Sequence, residues 1–169
     1  AASAATKEES VPTVFTRIIT GEFPGRFVWA DADIVAFLTI EPQRHGHVLV
    51  VPRAEVDTWT DLPDALRDCL FAVAQRIGKA LLPTFPGDRV GMVIAGYGVP
   101  HCHVHDYPTA TIDDFDQTRA MKDVPAAELD ADAELALPAD AVERSLYVLE
   151  GYAQLDGADI PARHLVLLD

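Results

Sequence analysis

Between Asp61 and Leu82 the apolar residues Leu66, Leu70, Val73, Ile77 and Leu81 recur at steps of four, three, four and four. That spacing sets all five on one stripe and predicts an amphipathic helix over residues 61–82, with Pro63 in its first turn. A helix with one apolar stripe must bury it against another layer. The flanking sequence offers that layer. FVWA (27–30), IVAFLTI (34–40), VLVVP (48–52) and RVGMVIA (89–95) are apolar runs of strand length, the first two parted by the turn signal Asp31–Ala32–Asp33. Ahead of them, VFTRIIT (14–20) places Phe15, Ile18 and Ile19 at helical spacing and stops at Gly21. The order predicts an α+β fold: an antiparallel sheet with a long helix and a short N-terminal helix.

Beyond Pro108 the character changes. Residues 113–143 are rich in Asp, Ala and Glu, which predicts a surface helix around 126–136. Residues 145–168 read as strand, turn and strand, with Asp156–Gly157 as the hairpin signal and His164 as a structural histidine. The expected organisation is a flexible tail over 1–12, a catalytic domain over 13–120 and a C-terminal extension of helix and hairpin over 121–169.

The net charge of −14 disfavours partners that need a basic stripe, so neither nucleic acid nor an anionic membrane surface is expected. No run of 18 apolar residues occurs, and the opening AASAATKEES lacks the regions of a signal peptide. Cys69 and Cys102 are too few for a disulfide framework and read as buried thiols, which fits a reducing cytoplasm.

Half of the six histidines fall in one stretch, HCHVHDY (101–107), at every second position. On a strand they would share one face, about 7 Å apart at each step, with Cys102 and Val104 turned to the core. Pro100, which cannot donate to a ladder, would stand at the strand's start. Three chemistries fit. The histidines could be structural, hydrogen-bonded on a solvated face. Two neighbours could hold a metal with His45, His47 or Asp106, since the outer pair lies about 13 Å apart on a strand. Or a neutral imidazole could attack phosphorus while its neighbours and the bare backbone of AGYG stabilise the phosphate.

With GHVLVVP (46–52) and GYGVPHCHVH (96–105) both in view, the chain resembles the histidine triad family. The match runs from about Val14 to Pro108 and includes FTRIITGEFPGRFVWADADIVAFLTIEPQ. The resemblance implies a homodimer whose subunits each take a purine nucleotide of adenylate type and need no cofactor. It implies that His103 attacks the α-phosphorus to form a nucleotidyl-histidine, that His101 and His105 support it, and that His47 joins the cluster. It implies a nucleotide pocket formed by Phe15, Ile18, Phe37, Thr39, Ile40 and Leu49, with backbone from Gly98 and Val99 near the phosphate.

Four departures from the family pattern stand out. Thr13–Val14–Phe15–Thr16 replaces a Cys-x-x-Cys that binds zinc in some bacterial members, so no zinc is expected there. Thr39 replaces an acidic or amide residue at the ribose. Gly98 replaces a hydroxyl residue that often protonates the leaving group, with Tyr97 beside it. Asp106 and Thr109 replace an apolar residue and an arginine after the triad. A catalytically weak nucleotide-binding module therefore stands as the alternative to an enzyme.

Overall fold

The computed structural model describes residues 11–136 and four later strands, Arg144–Tyr147, Tyr152–Leu155, Ala158–Pro161 and Leu165–Leu168. Most of the tail expected over 1–12, and His164, lie outside the described residues.

The predicted long helix is α2, Asp64–Leu81. A short 3-10 turn at Trp59–Asp61 precedes it, and Pro63 is its N-cap. Leu70, Val73, Ala74, Ile77, Gly78 and Leu81 form its buried stripe. The face is covered by a five-stranded antiparallel sheet in the order β1-β2-β3-β5-β4. The strands are β1 Phe27–Ala30, β2 Ile34–Leu38, β3 Val48–Pro52, β4 Arg89–Val93 and β5 Val104–Thr109. Alternation sends Ile34, Ala36, Leu38, Val48, Val50 and Val104 toward α2 as the main core. It sends Val35, Phe37, Leu49 and Val51 to the opposite face, where Phe15 of α1 (Val14–Ile19) closes a second apolar cluster. Every residue of β2 and β3 is buried, because both faces of the sheet are covered at its centre.

The sequence expectations need four corrections. The strand carrying the histidines begins only at Val104, so Pro100, His101 and His103 precede it. The reason is Pro52. β3 pairs Val48, Leu49 and Val50 with Asp106, His105 and Val104, and two steps on the same register would bring Cys102 opposite Pro52, which has no N–H for the ladder. Cys102 N–H bonds the Val56 carbonyl instead, at 2.7 Å.

The other three concern exposure and the C-terminal region. Cys69 is exposed, not buried, because it lies off the apolar stripe of α2. The helix α3, Ala126–Leu135, is not a purely surface helix: Leu129 is buried, and Ala136 just beyond it reaches the main core. The C-terminal region holds four strands in two antiparallel pairs. β7 (Tyr152–Leu155) pairs with β8 (Ala158–Pro161) across Asp156–Gly157, as the hairpin signal implied, and β6 (Arg144–Tyr147) pairs with β9 (Leu165–Leu168).

Asp106 follows Val104 on the α2 side of β5 and is 0% exposed. It lines a groove of about 460 Å³ with Ala74, Gly78, Lys79, Val90 and Met92. Neither carboxylate oxygen has a hydrogen-bond partner among the described residues. Burial pushes its pKa up to about 7. Since the folded value lies above the unfolded one, ionisation opposes folding as pH rises from about 4 toward 7 and beyond. Asp106→Val should therefore stabilise the protein at pH 8 by about 1–3 kcal/mol, the cost of an unpaired buried polar group. Urea denaturation should show that gain shrinking toward pH 4; a loss of stability at pH 8 would mean that the carboxylate has a partner.

Candidate functional site

Four histidines converge on the sheet face opposite α2, each brought there by a different local constraint. His47 stands just before β3 and follows Gly46, whose φ of +79° is left-handed and whose Cβ, were there one, would lie 2.6 Å from the Phe85 ring. Only glycine fits that turn. Asp132 of α3 braces it from outside, bonding Nδ1 of His45 at 2.9 Å and N–H of Gly46 at 3.3 Å. His105 sits on β5 opposite Leu49. His101 and His103 come from the segment before β5, yet the alternation persists: both rings meet Phe15, at centroid distances of 5.8 and 4.8 Å, while Cys102 and Val104 enter the α2-side core.

The hydrogen bonds assign a tautomer to each ring. Nδ1 of His103 lies 2.7 Å from the His101 carbonyl, which can only accept, so Nδ1 carries the proton. In the neutral ring Nε2 then holds the lone pair, and no described residue bonds it. Nδ1 of His47 receives the Gln43 N–H at 3.0 Å, so its Nε2 carries a proton and donates to Nδ1 of His105, also at 3.0 Å. His105 is left with its own proton on Nε2, a donor beside the His103 ring, the two centroids being 4.9 Å apart. Nε2 of His101 donates to the Pro52 carbonyl at 2.7 Å, and its Nδ1 meets the Thr13 hydroxyl at 2.8 Å. The result is an imidazole lone pair that no described residue takes, next to an N–H donor.

Burial and mutual repulsion favour the neutral rings of His47, His103 and His105. Burial comes first for His47, lowered to about 3, and for His105, lowered to about 4, with neighbouring imidazoles adding to it. Burial also lowers His103, against a smaller opposing effect of its bond to the His101 carbonyl.

The expected nucleotide-pocket residues divide. Phe15, Phe37 and Leu49 are buried in the second apolar cluster, and Ile18 and Val99 pack at its edge. Phe15 and Phe37 meet edge to face at 5.8 Å. Thr39 is half-buried, its hydroxyl accepting the Glu41 N–H at 3.4 Å. Ile40 stands apart, 71% exposed. Gly98 is exposed with open space around its missing Cβ, and Tyr97 beside it is 99% exposed. Sequence reasoning missed Gln43, which acts through its backbone and carries no side-chain signal. It missed Glu55, which binds Thr13 and Thr16 where the family pattern has its Cys-x-x-Cys. For the metal reading, His45 is committed to Asp132, and Asp106 lies on the opposite face of the sheet.

A family model described as HIT domain matches residues 20–111. An uncharacterized HIT-like protein of Methanocaldococcus jannaschii is 33% identical over 100 residues, 56% of this chain and 77% of that protein. One from Mycobacterium tuberculosis is 34% identical over 117 residues, 66% of this chain and 81% of its own length. The adenosine 5'-monophosphoramidase of Saccharomyces cerevisiae is 31% identical over 96 residues, 56% of this chain and 61% of the enzyme. The crystal structure of a HIT-like protein of Bartonella henselae superposes with a TM-score of 0.63 at 25% identity, covering 73% of this chain and 93% of that one.

The lowered histidine values carry a sign. A ring whose folded pKa lies below the unfolded 6.5 is protonated first in the unfolded chain, so stability is full above about 6.5 and falls as pH drops toward 4 and 3. In an NMR titration the ring signals of His47 and His105 should report neutral imidazoles from pH 8 to pH 5, and His103 should titrate below 6.5. Ordinary midpoints near 6.5 for His47 and His105 would mean that water reaches the cluster.

Proposed function

This chain belongs to the histidine triad (HIT) family, and on that footing we propose that it is a nucleotide hydrolase or transferase acting at the α-phosphorus of adenylate-linked substrates, phosphoramidates or dinucleoside polyphosphates. The observation that carries the reading is the His103 ring, its Nδ1–H fixed on a backbone carbonyl and its Nε2 lone pair taken by no described residue. Nε2 attacks the α-phosphorus, a P–N bond forms, and the bond to the leaving group breaks with its electron pair. His105 donates its Nε2–H to a non-bridging oxygen, where charge develops. Water or another acceptor then attacks the phosphorus, the P–N bond breaks, and His103 is restored. The apolar cluster of Phe15, Phe37 and Leu49, with Ile18 at its edge, suits a purine and ribose. The likeness to a phosphoramidase supports the substrate class.

Leaving-group protonation is the open position of this site. Gly98 has no donor, so a departing amine takes its proton from water, from Tyr97 or from the triad.

His103→Ala should abolish release of AMP from an adenosine phosphoramidate while nucleotide affinity holds, because the base pocket is untouched. Acid quench of the wild type with substrate labelled in its α-phosphate should leave label on His103. Binding by the wild type without AMP release would favour the nucleotide-binding module.

We further infer a homodimer. β4 is an edge strand of the sheet that no described strand covers, and beside it Met92 and Leu82 are 44% and 40% exposed along the groove against α2. An edge strand with an apolar margin invites pairing, and a second copy covers it under two-fold symmetry. Light scattering at micromolar concentration should give twice the chain mass; a monomer would sink this inference.

A further inference from the structure

We propose that Thr13 and Glu55 are positioning residues for the His103 nucleophile, acting through His101; the inference rests on the role given to His103 above. Three chain segments meet at the fully buried His101 ring. One is β3, whose last residue, Pro52, accepts the Nε2–H at 2.7 Å. That bond leaves Nδ1 of the neutral ring as an acceptor, in need of a donor. The second segment is the start of α1, where the Thr13 hydroxyl lies 2.8 Å from Nδ1. As N-cap, that hydroxyl also accepts the Thr16 N–H at 3.2 Å, and its own proton goes to the imidazole at 2.8 Å in preference to the Thr16 hydroxyl at 3.4 Å. The third is the histidine segment itself.

Glu55 ties the first two together. It follows Pro52 by three residues, and its Oε1 accepts the Thr13 N–H at 2.8 Å and the Thr16 hydroxyl. The Thr16 bond first, then the Thr13 N–H, hold the carboxyl below the usual range, so it is ionised at neutral pH. Two of the four N–H groups that a helix start leaves unpaired are thereby used: Thr16 N–H by the cap, and the Thr13 N–H ahead of it by Glu55. One segment, 52–55, therefore grips His101 directly through Pro52 and the Thr13 hydroxyl indirectly through Glu55.

The consequence reaches His103 through the backbone. The carbonyl that orients the His103 Nδ1–H belongs to His101, and the plane of that peptide depends on where the His101 ring is anchored. Phe15, two residues after Thr13, touches both rings, so a shift of α1 moves the wall of the site as well. Neither Thr13 nor Glu55 touches the reacting atoms. They act by fixing the direction of Nε2.

The test uses matched pairs of variants: Thr13→Val removes the hydroxyl and Thr13→Ser keeps it; Glu55→Leu removes the acceptor and Glu55→Gln keeps one. Thr13→Val and Glu55→Leu should lower kcat for AMP release from an adenosine phosphoramidate by roughly ten- to a hundredfold, the scale of lost orientation, with KM little changed. Thr13→Ser and Glu55→Gln should recover most of it. A second readout needs no substrate: 15N NMR of the rings should show a protonated, slowly exchanging Nδ1 on His103 and an unprotonated Nδ1 on His101, and Thr13→Val should release the His103 proton to fast exchange. Wild-type kcat in Thr13→Val, a serine variant no better than valine, or an unchanged His103 Nδ1 proton would each overturn the proposal. A wild type that releases no AMP would sink the function proposed above, and the NMR comparison would still decide this inference.

Discussion

The buried hydrogen bond from His101 Nε2 to the Pro52 carbonyl is where the sheet stops and the site begins. Up to that point β3 and β5 exchange ladder bonds, and the chain is a regular antiparallel pair. Pro52 ends the ladder because it has no N–H, but its carbonyl still needs a partner once buried. His101 supplies the partner from its side chain. The histidine segment thereby leaves strand geometry while staying beside the end of β3. The His101 carbonyl accepts from the His103 ring.

The electrostatics of the cluster follow from the same crowding. His47, His103 and His105 lie in a chain of ring contacts; a second proton on His47 or His105 would break the hydrogen bond its Nδ1 accepts, and one on any of the three would face its neighbours' repulsion. Burial pushes in the same direction. The neutral state that makes an imidazole nucleophilic is therefore the state that the fold already favours. Asp106 is the counterpart on the other face of β5, an acid whose pKa burial raises to about 7, with no hydrogen-bond partner among the described residues. Its position cost the family's apolar residue and placed a polar atom beneath the groove at the β4 edge.

Much of this was legible in the chain. The period of Leu66, Leu70, Val73, Ile77 and Leu81 located α2 to within a few residues, because burial of one stripe is a local pattern. FVWA and VLVVP matched β1 and β3 residue for residue, since alternating or wholly apolar short runs bounded by turn residues have few other solutions. The faces of His101, His103 and His105 were also readable, although the strand start was not. The end of a ladder depends on what lies opposite, and Pro52 stands 49 residues from His101.

What the sequence by itself determined is the chemistry on offer and the side of the chain it faces: three alternate imidazoles, a glycine before His47, and apolar residues at two periods. Those properties are local, set by the geometry of one or two turns or a few residues of strand. Only the tertiary structure decided which nitrogen of each ring carries the proton. That choice comes from backbone groups of Pro52, Gln43 and His101 and from the side chains of Thr13 and Glu55, brought together from distant parts of the chain. A carbonyl or an amide looks alike at every position in a sequence. Its role as acceptor or donor to a given imidazole exists only once the fold has set them within hydrogen-bond distance.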